Sequence, residues 1–310
     1  MSGWEHSRGW GWVWGDNDER GALNALTDAS VLGALGLVRQ GKVYDLGVAL
    51  DRDSYVGPAH AKTEVLTYRT PDGMTRQGIP GFDDPSGVGF NTSLILLSDH
   101  AGSQVDGLCH ATYGTDRHWY NGARLSDHGR DFGPVRSTAH VIPPIIAPAT
   151  LIDVAAAKGV EALHTGTPVT VDDLRQALDR QGTEIQVGDA VFLRTGVLRH
   201  WGANGADHAA LAATDMAGLT LASARWLVEE QGAILLGADS STVEVAPPVD
   251  GDNSAPVHKY ALVDQGVHLA ELFYLEELGA DRVYRFCLVA LAPKVRGATA
   301  GFAMRPIAIV

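Results

Sequence analysis

Within eleven residues the run His100-Ala101-Gly102-Ser103-Gln104-Val105-Asp106-Gly107-Leu108-Cys109-His110 brings together two imidazoles, a carboxylate and a primary amide. Imidazole nitrogen, carboxylate oxygen and amide oxygen around a small gap make a donor set for a divalent cation. The apolar run Leu94 to Leu97 just before it reads as a buried strand. If residues 100 to 106 continue extended, alternate side chains share a face. His100, Gly102, Gln104 and Asp106 then line one side and Val105 the other. Gly102 would leave room for the ion where a side chain would crowd it, and His110 stands just beyond, placed to move protons. The competing reading is a polar strand end with hydrogen-bonded histidines, since a chain with 12 His and 20% charged residues clusters some of them by chance.

A second group comes late: His258, then His268 and Glu271. His258 stands at the start of an expected helix and Glu271 at the end of the next strand, so both could face one pocket. A helix-cap histidine and a solvent-facing strand end are the plainer alternatives. His268 lies three residues from Glu271, which on a strand puts the two on opposite faces and argues against a shared ion. Asp16 to Gly21 briefly resembles a calcium loop, but Arg20 stands where an oxygen ligand is needed and the closing Glu is missing. A phosphate-binding G-x-x-x-x-G-K-[ST] loop, a G-x-S-x-G elbow, an H-E-x-x-H helix and Cys-x-x-Cys are all missing.

The elements that must hold these groups alternate between helix and strand. Thr27 or Asp28 can cap a helix running to about Gln40, and strands are expected at Lys42 to Leu50 and Ala61 to Tyr68. Residues 71 to 90 and 111 to 137 read as long loops. A strand at Thr150 to Ala155 leads to Thr170-Val171-Asp172-Asp173, a capping signature before Leu174 to Arg180. A buried strand at 190 to 194, a helix at 220 to 231 and a short strand at Ala233 to Gly237 follow. A Pro/Gly/Asp loop at 246 to 256, a helix from Val257, a strand at Val267 to Ala270 and a last strand near Val283 to Ala292 complete the pattern. Residues 1 to 24 form an arm with Trp4, Trp10, Trp12 and Trp14. So much aromatic surface either packs on its own domain or crosses to a second subunit or a pocket. Nothing reads as a linker or a repeat, so residues 1 to 310 are expected to form a single domain.

Composition narrows the partners. With 37 acidic against 24 basic residues the formal charge is −13, which disfavours nucleic acid and anionic membrane as partners. No stretch approaches transmembrane length, and the N-terminus lacks the basic and apolar regions of a signal peptide. Only Cys109 and Cys287 occur, so a reducing cytoplasm is the expected location.

The chain resembles the metal-dependent cyclase family, which includes bacterial kynurenine formamidase and isatin hydrolase. The family signature H-x-G-T-H-x-D-x-P-x-H is met here by His100, Gly102, Ser103, Gln104, Asp106, Leu108 and His110. Trp14 to Asn24 is similar to the opening of the longer members, and Val191-Phe192-Leu193-Arg194-Thr195-Gly196 to their V-L-[IL]-R-T-G turn. Gly237-Ala238-Asp239 with Val243-Glu244 resembles the G-x-D…V-E segment. The late pair His258 and Glu271, then Ala292-Pro293-Lys294, Gly297-Ala298-Thr299 and Arg305-Pro306, extend the likeness to the C-terminus. Gln104 in place of the central His, Ser103 for Thr and Leu108 for Pro are the departures.

The resemblance implies an α/β fold of the swivelling β/β/α type, assembled as a homodimer or homotetramer. It implies His100, Gln104 and Asp106 as first-cluster metal ligands, His258 and Glu271 as the late ligands of two-metal members, and His110 as the catalytic histidine. One or two divalent ions are expected, Mn²⁺ or Zn²⁺. The amide at 104 is a harder, weaker donor than imidazole and tilts the choice toward Mn²⁺. Ser103 is expected to hydrogen-bond a ligand, and Trp14, Tyr113 and Trp119 to wall the pocket of a small-molecule substrate. The implied reaction is metal-assisted hydrolysis of an amide or lactone carbonyl, possible within a ring, with His110 as general acid/base. Ring closure or elimination on a similar site, and a non-catalytic metal or small-molecule binding protein, are the other readings.

Overall fold

The computed structural model describes residues 3–80, 86–201, 207–211 and 215–310. Its strands in chain order are β1 (Val43–Asp45), β2 (Glu64–Arg69), β3 (Thr92–Leu96), β4 (Gln104–Asp106), β5 (Ile145–Asp153), β6 (Pro168–Val169), β7 (Ala190–Arg194), β8 (Gly218–Leu219), β9 (Leu235–Ala238), β10 (His268–Glu271), β11 (Arg285–Ala290), β12 (Ala300–Gly301) and β13 (Ile307–Ile309). One nine-stranded sheet runs in the order β1-β13-β11-β5-β7-β9-β10-β4-β12. Its middle, β5-β7-β9-β10, is parallel, and both flanks are antiparallel. This is the α/β class expected from the sequence.

Parallel neighbours need crossovers, and helices supply them. Between β5 and β7 the helix Val171–Gln181 starts at a Thr170/Asp173 capping box, turns Leu174, Ala177 and Leu178 inward, and stops at Gly182 in the left-handed region. Between β7 and β9 the chain coils from Leu221 and widens into a π-helical turn at Trp226–Glu230. Between β9 and β10 it does so again: Pro256–His258 opens a helix that continues as π-helix through Lys259–Gln265. That helix ends at Gly266, where φ is +60° and a Cβ would lie 2.4 Å from the Tyr120 ring. Phe192, Phe273 and Phe286 pack in the core beneath the parallel strands.

Several expectations shift. The first helix ends at Leu35, not Gln40, although its Thr27 cap is as expected. Val154 and Ala155 leave the strand for a short helix capped by Asp153. The strands β12 and β13 follow the segment expected to be the last one. The largest change concerns Leu94 to Leu97. Leu94, Ile95 and Leu96 do lie in a strand, but one that among the described residues pairs only with β2, and they are 53%, 59% and 62% exposed. An apolar run can mean a buried strand or an uncovered ribbon, and the local pattern does not separate them.

The tryptophan arm packs on its own chain. Trp10 is buried, stacks on Trp14 with centroids 5.5 Å apart, and donates to the Ala233 carbonyl. Trp4 donates to the Val228 carbonyl, and Trp12 stays half exposed. Among the described residues no helix is long and apolar enough to cross a membrane.

Candidate metal centre

Strand register builds the floor of the site. β4 pairs antiparallel with β10 so that Gln104 stands opposite Glu271 and Val105 opposite Ala270. Directly opposed residues share a face, and Asp106, two residues on from Gln104, shares it too. Val105 and Ala270 turn the other way and are fully buried in the core. Gln104, Asp106 and Glu271 therefore emerge together, all buried.

His100 joins them by a different route from the one expected. Residues 99 to 103 are not extended; they turn, with Gly102 at φ +67°. A Cβ on Gly102 would meet the Leu50 methyls at 3.1 Å, so glycine serves the turn and the close approach of Leu50. The turn carries His100 Nδ1 to 3.4 Å from Asp106 Oδ1. His258 comes from the opening of the π-helical segment, its Nε2 lying 3.5 Å from Glu271 Oε1 and 3.8 Å from Asp106 Oδ2. A π-helical turn beside such a residue is a frequent mark of a functional site.

One nitrogen of each imidazole faces the centre. Asp99 Oδ2 accepts the Thr299 hydroxyl hydrogen at 2.9 Å, which leaves the Thr299 oxygen to accept from His100 Nε2–H at 3.0 Å. Nδ1 of His100 then keeps its lone pair and accepts from Gln104 Nε2 at 2.9 Å. His258 Nδ1 donates to Glu244 Oε1, and Nε2 faces Asp106 and Glu271, where an ion would take the place of its second proton. A carboxylate behind an imidazole, fixing its tautomer, is the arrangement of metal-ligating histidines.

The centre is built for a cation. Both oxygens of Asp106 and Oε1 of Gln104 are buried and accept no hydrogen bond. An unpartnered buried carboxylate costs several kcal/mol unless a positive charge meets it. Burial accordingly pushes the Asp106 carboxyl up to about 7, and burial also raises Glu271. Burial opposes a charge on His258, but hydrogen bonds to Glu244 and Glu271 hold its proton well above the usual imidazole range. Two groups converge closely enough to ligate: His100, Asp106 and His110, and, sharing the same aspartate, Asp106, His258 and Glu271. The orphaned oxygens of Asp106, with His258 Nε2 and Glu271 Oε1 facing them, fit a divalent ion.

His110 lies against this centre, its ring 4.1 Å from that of His100 and 6.0 Å from that of His258. Burial lowers its basicity, so it is neutral near pH 7. A cavity of about 260 Å³ opens over His100, Gln104 and Glu271, walled by Tyr55, Pro58, His60, Met216 and Leu272 among others.

Other expected positions fall elsewhere. Ser103 donates to the Leu272 carbonyl at 2.7 Å and accepts from Val48 N–H; it fixes the backbone beside Glu271 and touches no ligand side chain. Trp14 stacks on Trp10, Trp119 is buried in the core, and Tyr113 sits under Lys259. None of the three lines the cavity; folding used them as core and loop anchors. His268 turns away from Glu271, its Nδ1 2.6 Å from the Asp106 carbonyl. Asp18, in the discarded calcium loop, accepts from Gly21 N–H, Asn24 and Tyr120 and ties that turn together.

Residue-level reading of the sequence missed four contributors. His60 stacks on His100 with centroids 4.7 Å apart. Asp99 and Thr299 set the His100 tautomer, and Glu244 sets that of His258. Thr299 and Glu244 stood inside quoted motifs without a role; His60 had no local signal, since a 40-residue detour separates it from His100. Backbone strain gives an independent mark. Val243 and Leu272, at φ +55° and +57°, are non-glycine residues in the left-handed region, and each adjoins a carboxylate of the site.

Comparison with known proteins places the fold and the family. A crystal structure of a novel cyclase superposes with a TM-score of 0.81 at 28% identity, covering 96% of both chains. Isatin hydrolase A from Ralstonia solanacearum matches with a TM-score of 0.62 at 19% identity over 91% of this chain and 97% of its own. A predicted metal-dependent hydrolase from Bacillus stearothermophilus matches at 0.50 and 19% over 86% and 97%. The last two likenesses establish a shared fold. Among curated proteins no sequence matches significantly. The model of the putative cyclase family matches residues 44–245, which include β4 and the Glu244 carboxylate. With that match spanning more than half of its length, the chain belongs to the putative cyclase family.

Proposed function

We propose that the protein is a metal-dependent hydrolase that cleaves an amide or lactone bond, in a ring or an aryl amide. The observation that carries this reading is Asp106, fully buried, its two unpartnered oxygens lying 3.4 Å from His100 Nδ1 and 3.8 Å from His258 Nε2. Asp106, His258 and Glu271 would hold the ion, with His100 and Gln104 beside them. The oxygen-rich donor set favours Mn²⁺ over Zn²⁺. A divalent ion held there supplies Lewis acidity, lowering the pKa of water from about 15.7 toward about 7 and polarising a carbonyl.

The chain's own residues supply the rest. His110 is neutral and next to the centre, so it can take a proton from the attacking water and return it to the leaving nitrogen or oxygen; such help contributes about 10²–10⁴-fold. Tyr55, Met216 and Leu272 offer an apolar wall to a small flat molecule. No Lys or Arg is among the described residues lining the cavity, which suits an uncharged substrate.

The same reading takes the protein as a homo-oligomer. The β2–β3 ribbon exposes Val65, Leu66 and Tyr68 with Leu94, Ile95 and Leu96, apolar on both faces, and a patch of that kind marks an interaction surface. Two buried free thiols suit a reducing compartment, the cytoplasm. The decisive experiment is exhaustive chelation followed by Mn²⁺ or Zn²⁺, with neutral lactams, lactones and aryl amides as substrates. Activity should vanish and return, and the product should gain the mass of one water. Full turnover after verified removal of metal, or an unchanged product mass, refutes the proposal.

A further inference from the structure

Gln104 stands where the family signature has a histidine, and its contacts decide what it does there. Its Nε2 donates to His100 Nδ1 and to Glu271 Oε2, each at 2.9 Å. Those two acceptors belong to opposite sides of the cluster. The orientation of the amide follows from its partners. Reversed, Gln104 would set Oε1 against the His100 lone pair and a carboxylate oxygen, three acceptors facing one another, whereas the NH₂ group has two hydrogens for two acceptors. The tautomer of His100 is fixed independently, because Thr299 takes its Nε2–H. The lone pair of His100 that would bind an ion is therefore occupied by the amide. Asp106, His258 and Glu271 are not blocked in this way: His258 Nε2, both Asp106 oxygens and Glu271 Oε1 still face one another without a competing amide donor. The two carboxylates there also balance the charge of one divalent ion, and among the described residues the neighbouring carboxylates Glu244 and Asp99 are turned to His258 and Thr299.

We propose that this chain holds one divalent ion, on Asp106, His258 and Glu271, and that the Gln104 amide replaces a second ion by clamping His100 to Glu271. This rests on the metal-site reading above. His100 becomes a positioning residue, held by Thr299 and Gln104 against His110 and His60, instead of a ligand.

The test is stoichiometry. Chelator-stripped protein is loaded with excess Mn²⁺, freed of unbound metal and analysed for Mn per folded chain and by electron paramagnetic resonance. One ion per chain is expected, with the spectrum of an isolated Mn²⁺ and no spin-coupled pair. His100→Ala should still hold one ion, with an affinity within about threefold. Gln104→His, or Gln104→Glu should the first fail to fold, should hold two ions and show the coupled spectrum. Two ions in the unmodified chain overturn the inference and leave the hydrolase reading standing. So does loss of the ion in folded His100→Ala, or a single ion in both folded Gln104 variants. Absence of any bound ion in the unmodified chain overturns both.

Discussion

Glu244→Gln removes the charge behind His258 while keeping the size of the side chain. Glu244 Oε1 faces His258 Nδ1, and Oε2 accepts from Val257 N–H at 3.0 Å, so one carboxylate both sets the imidazole tautomer and caps the helix carrying it. An amide has one acceptor oxygen, so one of those contacts must go. If the oxygen stays on Nδ1, Val257 N–H faces an NH₂ group, and the loss is about 1 kcal/mol of folding stability. If the NH₂ faces Nδ1, His258 must carry its hydrogen on Nε2, toward Asp106 and Glu271, where it obstructs an ion. In either case the imidazole loses the anion that raises its basicity as a ligand. Removing such a partner typically costs 10–100-fold in metal affinity, or roughly 1.4–2.8 kcal/mol. Competition of the protein against a chromogenic chelator for Mn²⁺ or Zn²⁺ measures this, with circular dichroism to verify folding. A folded variant whose affinity lies within about twofold of the parent would refute the assignment of Glu244 and, with it, of the His258 nitrogen that faces the ion.

Three other outcomes follow from the same geometry. His110→Ala should retain its metal and lose about 10²–10⁴-fold in kcat; unchanged turnover would remove His110 from the chemistry. In the metal-free protein the part of the stability contributed by Asp106 and Glu271 should fall as pH rises from about 4 to about 7. It is opposed by the buried His100, His110 and His268, whose lowered basicity acts with the other sign, so the unfolding of the parent is compared with that of Asp106→Asn across that range. Asp106 is held up to about 7 and Glu271 is raised, so at these two sites the folded state binds more protons than the unfolded state in that window. Raised His258 acts with the same sign, its stabilisation being lost as pH climbs through its folded value. Metal binding needs these groups deprotonated, so the rise in Tm on adding Mn²⁺ should be larger at pH 8 than at pH 5.5; a gain independent of pH would contradict the ligand set. Leu66→Asp with Ile95→Asp should lower the oligomeric state seen by size-exclusion chromatography with light scattering, and an unchanged mass would move the interface away from the ribbon.

What was legible in the sequence was what local chain geometry decides. Gln104 and Asp106 share a face because they are two residues apart on a strand, and the capping box at Thr170 needs only four residues to form. The late pair His258 and Glu271 was found because each ends or begins a regular element. What escaped depends on distant chain. Leu94, Ile95 and Leu96 carry the composition of a core strand, but burial is set by what covers a strand, and among the described residues they pair with β2 alone. The place of Gly102 was recognised and its reason was not, because Leu50 lies far away in sequence. Trp14, Tyr113 and Trp119 were chosen as aromatic neighbours of a motif, and aromatic residues fill cores as readily as pockets.

The strain at Val243 and Leu272 explains how the site stays open to an ion. A buried aspartate without hydrogen-bond donors would relax toward any backbone N–H within reach, and the fold prevents this from three sides. Asp106 is locked between β10 and β12, its carbonyl taken by His268. Glu271 is held at the end of β10 by the left-handed turn at Leu272, whose N–H goes to the Ser240 carbonyl and whose carbonyl accepts from Ser103. Glu244 follows the left-handed Val243, whose carbonyl accepts from Leu219 N–H at 2.9 Å. Such backbone conformations cost of order 1–3 kcal/mol each and persist only where surrounding contacts enforce them. Here they keep three carboxylates pointed at two imidazoles instead of at one another's backbone. Ion binding would then recover stability that folding alone leaves unrealised, so adding Mn²⁺ should raise the melting temperature of this protein at neutral pH.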